Sequence, residues 1–518
     1  MTIELLRQWS DWSDGLGLER DDPDINGLYA PTNTSNPSLL GMKGELRPPP
    51  APQSTSVTMA AGFHTIDMFE EAGATSTTWL YVLANDDTNT NGKIYKTKIN
   101  TTGYGGASTP KDYTERLGHS AKYKGNRYWS TLIAAATMEK LTTVANGDIA
   151  TDTITSGDAS SGNGHLALIG HQLIKLQYGA GASVLVKDAA ATTNANWGSA
   201  FPVGDSSEEP LGLIGLQGLT FAARQSGLYT FNERGRAGLL YNDFGAWRNE
   251  SGPYYWPLAA WKGGFLYCHE TGLYYYRLGE IPIPVGPEAS AGNPYPETNS
   301  LDFRTGLPKT VITIGDWVYA IYLFPNAPSG KAYLMAGKAM QGNPADISWF
   351  ILHVLSSATD FGLGISTRGE DPGVAVVGTT QLFFQDSTTL KYIGLSKNGS
   401  AIVEHASHAV AATSGVYLPE IYFPFGTNLS HVVVYTQNLD DDTTTPDQFQ
   451  LIADINNDTA FDLGATIRQN GRSERPIKRN NVNRLRLGIE CTTNTANYRA
   501  APAVKHVELW GSMEKEID

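Results

Sequence analysis

The sequence predicts an all-β protein: a β-propeller of about seven blades, or six if an end anchor belongs elsewhere, followed by a C-terminal β-sandwich. Three observations carry this. First, a short apolar and aromatic strand recurs, anchored at Tyr81, Tyr128, Ile174, Phe221, Tyr267, Tyr319 and Phe384, with spacings of 47, 46, 47, 46, 52 and 65. A period near ~45 with several short strands per unit marks propeller blades. Second, charged residues make up only 17 %, while 54 Gly and 27 Pro exceed the usual share. Such a chain favours short strands and tight turns over long solvated helices. Third, Asn-Gly recurs at 26–27, 91–92, 146–147, 163–164, 398–399 and 470–471. That dipeptide supplies the positive φ angles of hairpin turns.

Taken in order, residues 1–55 do not fit the repeat and read as an N-terminal arm ending in a Pro-rich linker, Pro48-Pro-Pro50. The only helical periodicities are short, at Glu4–Trp12 and Ile402–Ala412. Residues 56–405 read as the propeller. A second strand often follows each anchor, as in Gly92-Lys-Ile-Tyr95, Gly227-Leu-Tyr229, Gly272-Leu-Tyr274 and Gly330-Lys-Ala-Tyr333. A glycine precedes the anchor at Gly125, Gly170, Gly218, Gly264 and Gly315. One blade cannot bury both faces alone, whereas a ring of blades can. Tandem small sandwiches are the rival arrangement, but they rarely keep so even a spacing. Residues 414–518 read as the sandwich. Strands are expected at Val416–Phe425, His431–Thr436, Gln448–Asp454, Leu485–Cys491 and Val504–Trp510, with clean alternation.

Charge and cysteine usage narrow the function. A net charge of −14 argues against a sequence-independent nucleic-acid binder. Cys268 and Cys491 are too few for a disulfide scaffold. They are expected to be unpaired and buried. The N-terminus has no apolar signal core and no stretch approaches a membrane span, so synthesis in a cytoplasm is expected.

The search for catalytic motifs finds no nucleophile elbow, phosphate loop, Cys-x-x-Cys pair or zincin helix. The reading therefore expects no enzyme activity, metal or cofactor. Weaker patterns have plainer explanations. Glu404-His405-Ala-Ser-His408 reads as linker histidines. Asp87-Thr-Asn89-Thr-Asn91-Gly92 half-matches a calcium loop but has Lys98 where a bidentate Glu belongs, and reads as a hairpin turn. Asp454-Ile-Asn456-Asn-Asp458 lacks the loop glycine. Asp243-Phe-Gly245-Ala-Trp247 comes near a sialidase turn without its Ser. Tyr254-Tyr255-Trp256, Trp261 and Tyr274-Tyr275-Tyr276 could present rings to a sugar, though blade packing needs aromatics too.

One charge pattern stands apart. Arg468, Arg472, Arg475, Lys478, Arg479, Arg484 and Arg486 place seven of 38 basic residues within 19 positions, interrupted by Glu474. The same region holds Asp440, Asp441 and Asp442. A basic and an acidic stripe on one domain suit head-to-tail contacts between identical subunits. A solvated edge that blocks strand pairing explains the cations nearly as well. Alternation with Leu485 and Leu487 predicts that Arg484 and Arg486 face outward.

Asp11-Trp-Ser-Asp-Gly15 and Asn26-Gly-Leu-Tyr29 before the Pro-rich run, the repeated Gly-x-Leu-Tyr strands and the closing Val504–Trp510 strand together give the chain a texture. In that texture it resembles propeller-bearing tail proteins of tailed bacteriophages, of the tail-nozzle and tail-tip type. The resemblance implies a structural virion subunit, made in the host cytoplasm and placed in a ring around the DNA conduit. Its partners would be other copies of itself and neighbouring tail proteins. DNA would pass an acidic lumen without specific binding. The competing expectation is a host-recognition or carbohydrate-binding tail protein, with glycan hydrolysis as an extension.

Overall fold

The computed structural model describes residues 3–10, 32, 35–42, 45–72, 78–88, 90–99, 110–132, 137–143, 149–155, 164–177, 181–187, 196–205, 207–225, 227–231, 237–241, 256–287, 306–324, 330–339, 342–369, 379–395, 410–440, 446–494 and 501–513. Among them are seven four-stranded antiparallel sheets and one nine-stranded sheet. The seven sheets are the blades of a β-propeller. Their first strands are Phe63–Ala72, Ala121–Tyr123, Gly164–Ile169, Pro210–Leu216, Leu258–Trp261, Leu307–Ile314 and Phe361–Gly369, for blades one to seven. First strands of successive blades touch from blade two to blade seven, that of blade seven returns to that of blade one, and Lys122 of blade two reaches Glu71 of blade one at 2.6 Å, so they ring the axis.

All seven sequence anchors fall on the second strand of their blade, the central position where both faces are covered. These strands are Thr78–Asp86, Asn126–Ser130, Gln172–Gln177, Leu219–Arg224, Gly264–His269, Trp317–Leu323 and Thr379–Asp386. Every anchor is buried, which is why it must be apolar or aromatic. Gly125, Gly170, Gly218 and Gly315 make the hairpin before that strand at φ 82°, 60°, 81° and 55°. In blade five this role falls to Gly263 (φ 79°) rather than Gly264. The described aromatic residues of 261–276 behave as packing groups. Trp261, Tyr275 and Tyr276 are buried, and Tyr267 stacks on Tyr274 with centroids 5.5 Å apart.

Blade seven is completed from the other end of the chain. Its outer strand is Gln53–Thr58, paired with Thr389–Gly394. The N-terminal arm does not stop there. Glu4–Trp9, expected to be helical, is a strand on Ala503–Met513. Pairing decides the matter: tertiary partners override a weak helical period in so short a segment. Leu40–Met42 pairs with Glu45–Arg47, which in turn meets Ala503–Met513.

The C-terminal region is all β, with strands at Thr413–Tyr417, Ile421–Gln437, Gln448–Ile455, Gly471–Thr492 and Ala503–Met513, close to those expected. The expected β-sandwich is not resolved into two separate sheets: the hydrogen bonding runs through one nine-stranded sheet. The cause is strand length. Gly471–Thr492 has 22 residues; its first half pairs with Ile421–Gln437 and its second half with Gln448–Ile455 and Thr413–Tyr417. The sheet also includes the three N-terminal strands, so it is not confined to 414–518.

Propeller and sheet share a core. One cluster of buried side chains contains Trp9, Leu40, Leu228, Tyr267, Tyr319, Trp349, Val434 and Leu487. The arm stitches the two together. Ser38 exchanges backbone and hydroxyl bonds with Ile351 of blade six, and Ala411 donates to the Pro49 carbonyl at 2.8 Å. Cys268 and Cys491 are free thiols, both buried in this core, as expected. Burial, and then the nearby Asp447 charge, raises the Cys491 thiol well above its ordinary value. No helix of the described residues is long and apolar enough to cross a membrane.

Candidate functional site

The basic stretch divides into an exposed part and a buried part. Arg468, Arg472, Lys478 and Arg479 are exposed. Arg472 reaches Glu474 at 3.2 Å, and Arg479 lies 5.3 Å from the Phe461 ring centroid. Arg475 is half-buried and donates to the Ala465, Thr466 and Glu474 carbonyls at 2.7–3.1 Å, an internal brace.

Arg484 and Arg486 correct the outward reading. They are only 6 % and 0 % exposed. Arg486 meets Asp454 at 3.2 Å and lies 4.3 Å from the Tyr417 ring centroid. Arg484 contacts Asp454, Glu420 and Asn457. Alternation correctly puts these arginines opposite Leu485 and Leu487, but the far face is covered too. Thr32 of the arm lies against Gly415 and Gly488, and Gly415 donates to the Pro37 carbonyl at 3.3 Å. A period-2 pattern tells faces apart, not which face meets water. Buried cations demand carboxylates, and Asp454 and Glu420 supply them.

The exposed cations lie along an edge. Residues 471–482 of the long strand are paired with Ile421–Gln437 on one side only, among the described residues. Pro476 lies in it, and Lys478 and Asn481 adopt φ 52° and 56°. A proline and two left-handed residues discourage another strand from adding there. Contacts at this edge are therefore made by side chains. Of the acidic run, Asp440 is exposed; Asp441 and Asp442 lie outside the described residues.

A second cluster, invisible in the sequence reading, closes one mouth of the propeller axis. His119 stacks on Trp256 with centroids 3.9 Å apart. His119 Nε2 lies 3.2 Å from Asp67, whose other oxygen accepts from the Ser120 amide and hydroxyl at 2.8 and 2.5 Å. His165 sets its ring edge-on to Trp256 at 5.4 Å, and its Nδ1 accepts the His119 amide at 3.0 Å. Arg116 grips both oxygens of Glu209 at 2.7 and 2.9 Å. These residues come from blades one to five and meet where the first strands begin. Burial lowers the His119 pKa, opposed in part by the Asp67 charge. Each bond here satisfies another, which describes a plug more than a reaction centre. Asp67, His119, His165, Glu209 and Trp256 are scattered in sequence, so no motif marks them.

A related signal was present and unread. Asn85, Ser130, Gln177 and Arg224 lie at or next to the ends of the second strands, at a step close to that of the anchors. Asn85 exchanges two hydrogen bonds with Leu117, at 2.7 and 3.0 Å, where blade two begins. Ser130 donates to the Gly164 carbonyl at the start of blade three, and Arg224 to the Gln177 carbonyl at 2.8 Å. Gln385 closes the ring by accepting from the Thr65 amide and hydroxyl at 2.8 and 2.7 Å.

The weaker patterns resolve as turns or fall outside the described residues. Asp86 accepts from the Thr90 and Asn91 amides at 2.6 and 3.1 Å, so its carboxylate caps the turn. Burial pushes its pKa up, but these bonds outweigh it and hold it near about 2. Asn456 and Asn457 form a hairpin turn at φ 55° and 66°. Residues 401–409, 242–255 and 11–31, with Glu404, His405, His408, Asp243–Trp247, Tyr254 and Tyr255, lie outside the described residues. No group of three or more His, Cys, Asp or Glu is arranged to hold a metal among the described residues.

No protein-family profile matches the chain. No curated protein matches it either. Solved structures that it is similar to include the WD40 β-propeller domain of Doa1, 7 % identical, covering 66 % of this chain and 96 % of that one at a TM-score of 0.36. Sqt1 of Saccharomyces cerevisiae is 10 % identical, with 70 % and 100 % covered and a TM-score of 0.36. A glycoside hydrolase is 9 % identical, with 88 % and 100 % covered and a TM-score of 0.26. Likenesses at this level carry no functional argument, and the propeller rests on its strand pairing.

Proposed function

We propose that the chain is a structural subunit of a bacteriophage tail, held in a ring or nozzle around the DNA conduit by contacts with other copies and with neighbouring tail proteins. The observation that supports this reading is the exposed cationic edge, Arg468, Arg472, Lys478 and Arg479, on a chain whose net charge is −14. A local patch of the minority charge fits the acidic surface of a copy and gives register and steering more than affinity. A well-formed pair there contributes roughly 1 kcal/mol. The test is assembly by light scattering at low salt, with Arg472→Glu and Arg479→Glu combined. Weakened association with an unchanged melting temperature is expected. Normal assembly of the double variant would sink the interface.

Glycan recognition on a host surface is the second reading. Trp256 favours it, because it is a half-buried ring stacked on His119 and close to His165. Binding to a glycan array that disappears in Trp256→Ala, with the fold intact, would replace the structural reading.

A further inference from the structure

Three successive blades begin their first strand beside a buried or half-buried histidine: His64, His119 and His165. His165 is the most constrained. Its Nδ1 accepts the His119 amide of blade two at 3.0 Å, beside a Leu166 amide to His119 carbonyl bond at 3.1 Å. One neutral imidazole, accepting at Nδ1, thus ties blades two and three.

We propose that His165 is a proton-operated latch, whose protonation frees the starts of the first strands of blades two and three while the rest of the ring stays closed.

The geometry leaves no room for a second proton. Nδ1 can take one only by giving up the His119 amide, which then has no acceptor in a buried seam. The charges around it oppose a cation as well. Blade two's approach contributes His119 and Arg116, and blade four contributes Arg224. The nearby carboxylates are engaged elsewhere: Glu209 by Arg116, and Asp67 by His119 and Ser120. The Trp256 ring of blade five lies 5.4 Å away at a steep angle. Burial first, then the neighbouring His119 and the Arg116 charge, holds the His165 pKa down to about 3.

A histidine depressed in the closed state stabilises closure above its ordinary value of roughly 6.5, and that contribution is lost as pH falls towards the depressed value. Between pH 7.5 and 4.5 the open-to-closed ratio of the seam should rise about a hundredfold. Hydrogen exchange of the full chain, read by mass spectrometry and corrected for intrinsic rates, tests this. Peptides covering 117–123 and 164–169 should exchange about a hundredfold faster at pH 4.5, with the Trp317–Leu323 strand unchanged. In His165→Gln, which keeps a donor and an acceptor but cannot titrate, the acid-dependent excess should vanish. The latch is overturned if the seam does not accelerate, if Trp317–Leu323 accelerates with it, or if the variant retains the excess. Should the variant fail to fold, the wild-type comparison of seam and strand decides alone.

Discussion

The propeller and the C-terminal sheet are built from the same kind of strand by opposite rules. In the propeller nearly every pairing joins neighbours in sequence, as in the hairpin Leu219–Arg224 with Gly227–Phe231. In the sheet the decisive pairings join the two ends of the chain, as Glu4–Trp9 meets Ala503–Met513. Polar groups follow the same division. Blade seams are bridged by separate pairwise contacts, neutral ones such as those of Asn85 and Gln385 and ion pairs such as Arg116–Glu209 and Lys122–Glu71. The sheet instead buries an ion network of Arg484, Arg486, Asp454 and Glu420 beneath the arm. Local repetition makes structure cheap to encode, whereas a covered sheet face needs a partner from far away.

The sharpest test of this contrast is all-or-none. Cys268 belongs to blade five and Cys491 to the sheet, yet both lie in one core. Neither should react with a thiol reagent in the native protein, and both should react after denaturation. Labelling midpoints across a urea series, read by peptide mapping, should coincide. Midpoints well apart would mean that the shared core does not couple the two regions.

Next in size is Asp454→Ala, which removes a carboxylate 3.2 Å from fully buried Arg486. A loss of about 3–5 kcal/mol is expected, because an uncompensated buried charge remains. Urea unfolding would measure it, and a loss under about 1 kcal/mol would show the arginines to be solvated. Gln385→Ala strips acceptors and donors from the seam between blades seven and one. It should cost about 1–3 kcal/mol by the same assay. A larger loss than Asp454→Ala would reverse the ranking of the two regions.

A smaller effect depends on pH. Asp86 is held near about 2 by its turn bonds, below its ordinary value of 3.8. Its contribution is therefore present above pH ~4 and lost as pH falls towards ~2. Asp86→Asn should cost under about 1 kcal/mol at pH 7 after allowance for solvent screening, and nothing near pH 2. A cost independent of pH would assign the effect to turn geometry. Smallest of all, Arg472→Glu with Arg479→Glu should change the stability of the isolated chain by less than about 0.5 kcal/mol. A larger loss would place those side chains within the fold rather than at its edge.

How much was legible follows from the same division. Tyr81 through Phe384 located all seven blades, because each central strand needs a buried residue at the same point of a repeated hairpin. Glu4–Trp9 misled, since nothing near it in sequence reveals that its partner lies some five hundred residues away. Arg484 and Arg486 were assigned the right face and the wrong environment, because their cover comes from the arm around Thr32. The plug at the axis mouth was hidden for a third reason. Asp67, His119, His165, Glu209 and Trp256 are brought together only by ring closure, and no local pattern records that. The seam residues Asn85, Ser130, Gln177 and Arg224 could have been found, because they keep the step of the anchors.

The strand Gln53–Thr58 gives the molecule a clock. It leaves the ribosome before its partner Thr389–Gly394, which is made roughly 340 residues later, about 17–70 s at ordinary rates of synthesis. Until then it is a nascent edge with nothing to pair against. Its composition suits the delay: Gln53, Ser54, Thr55 and Ser56 are polar, and only Val57 is buried on arrival. A strand that must wait in company is safest when it has little to offer passers-by.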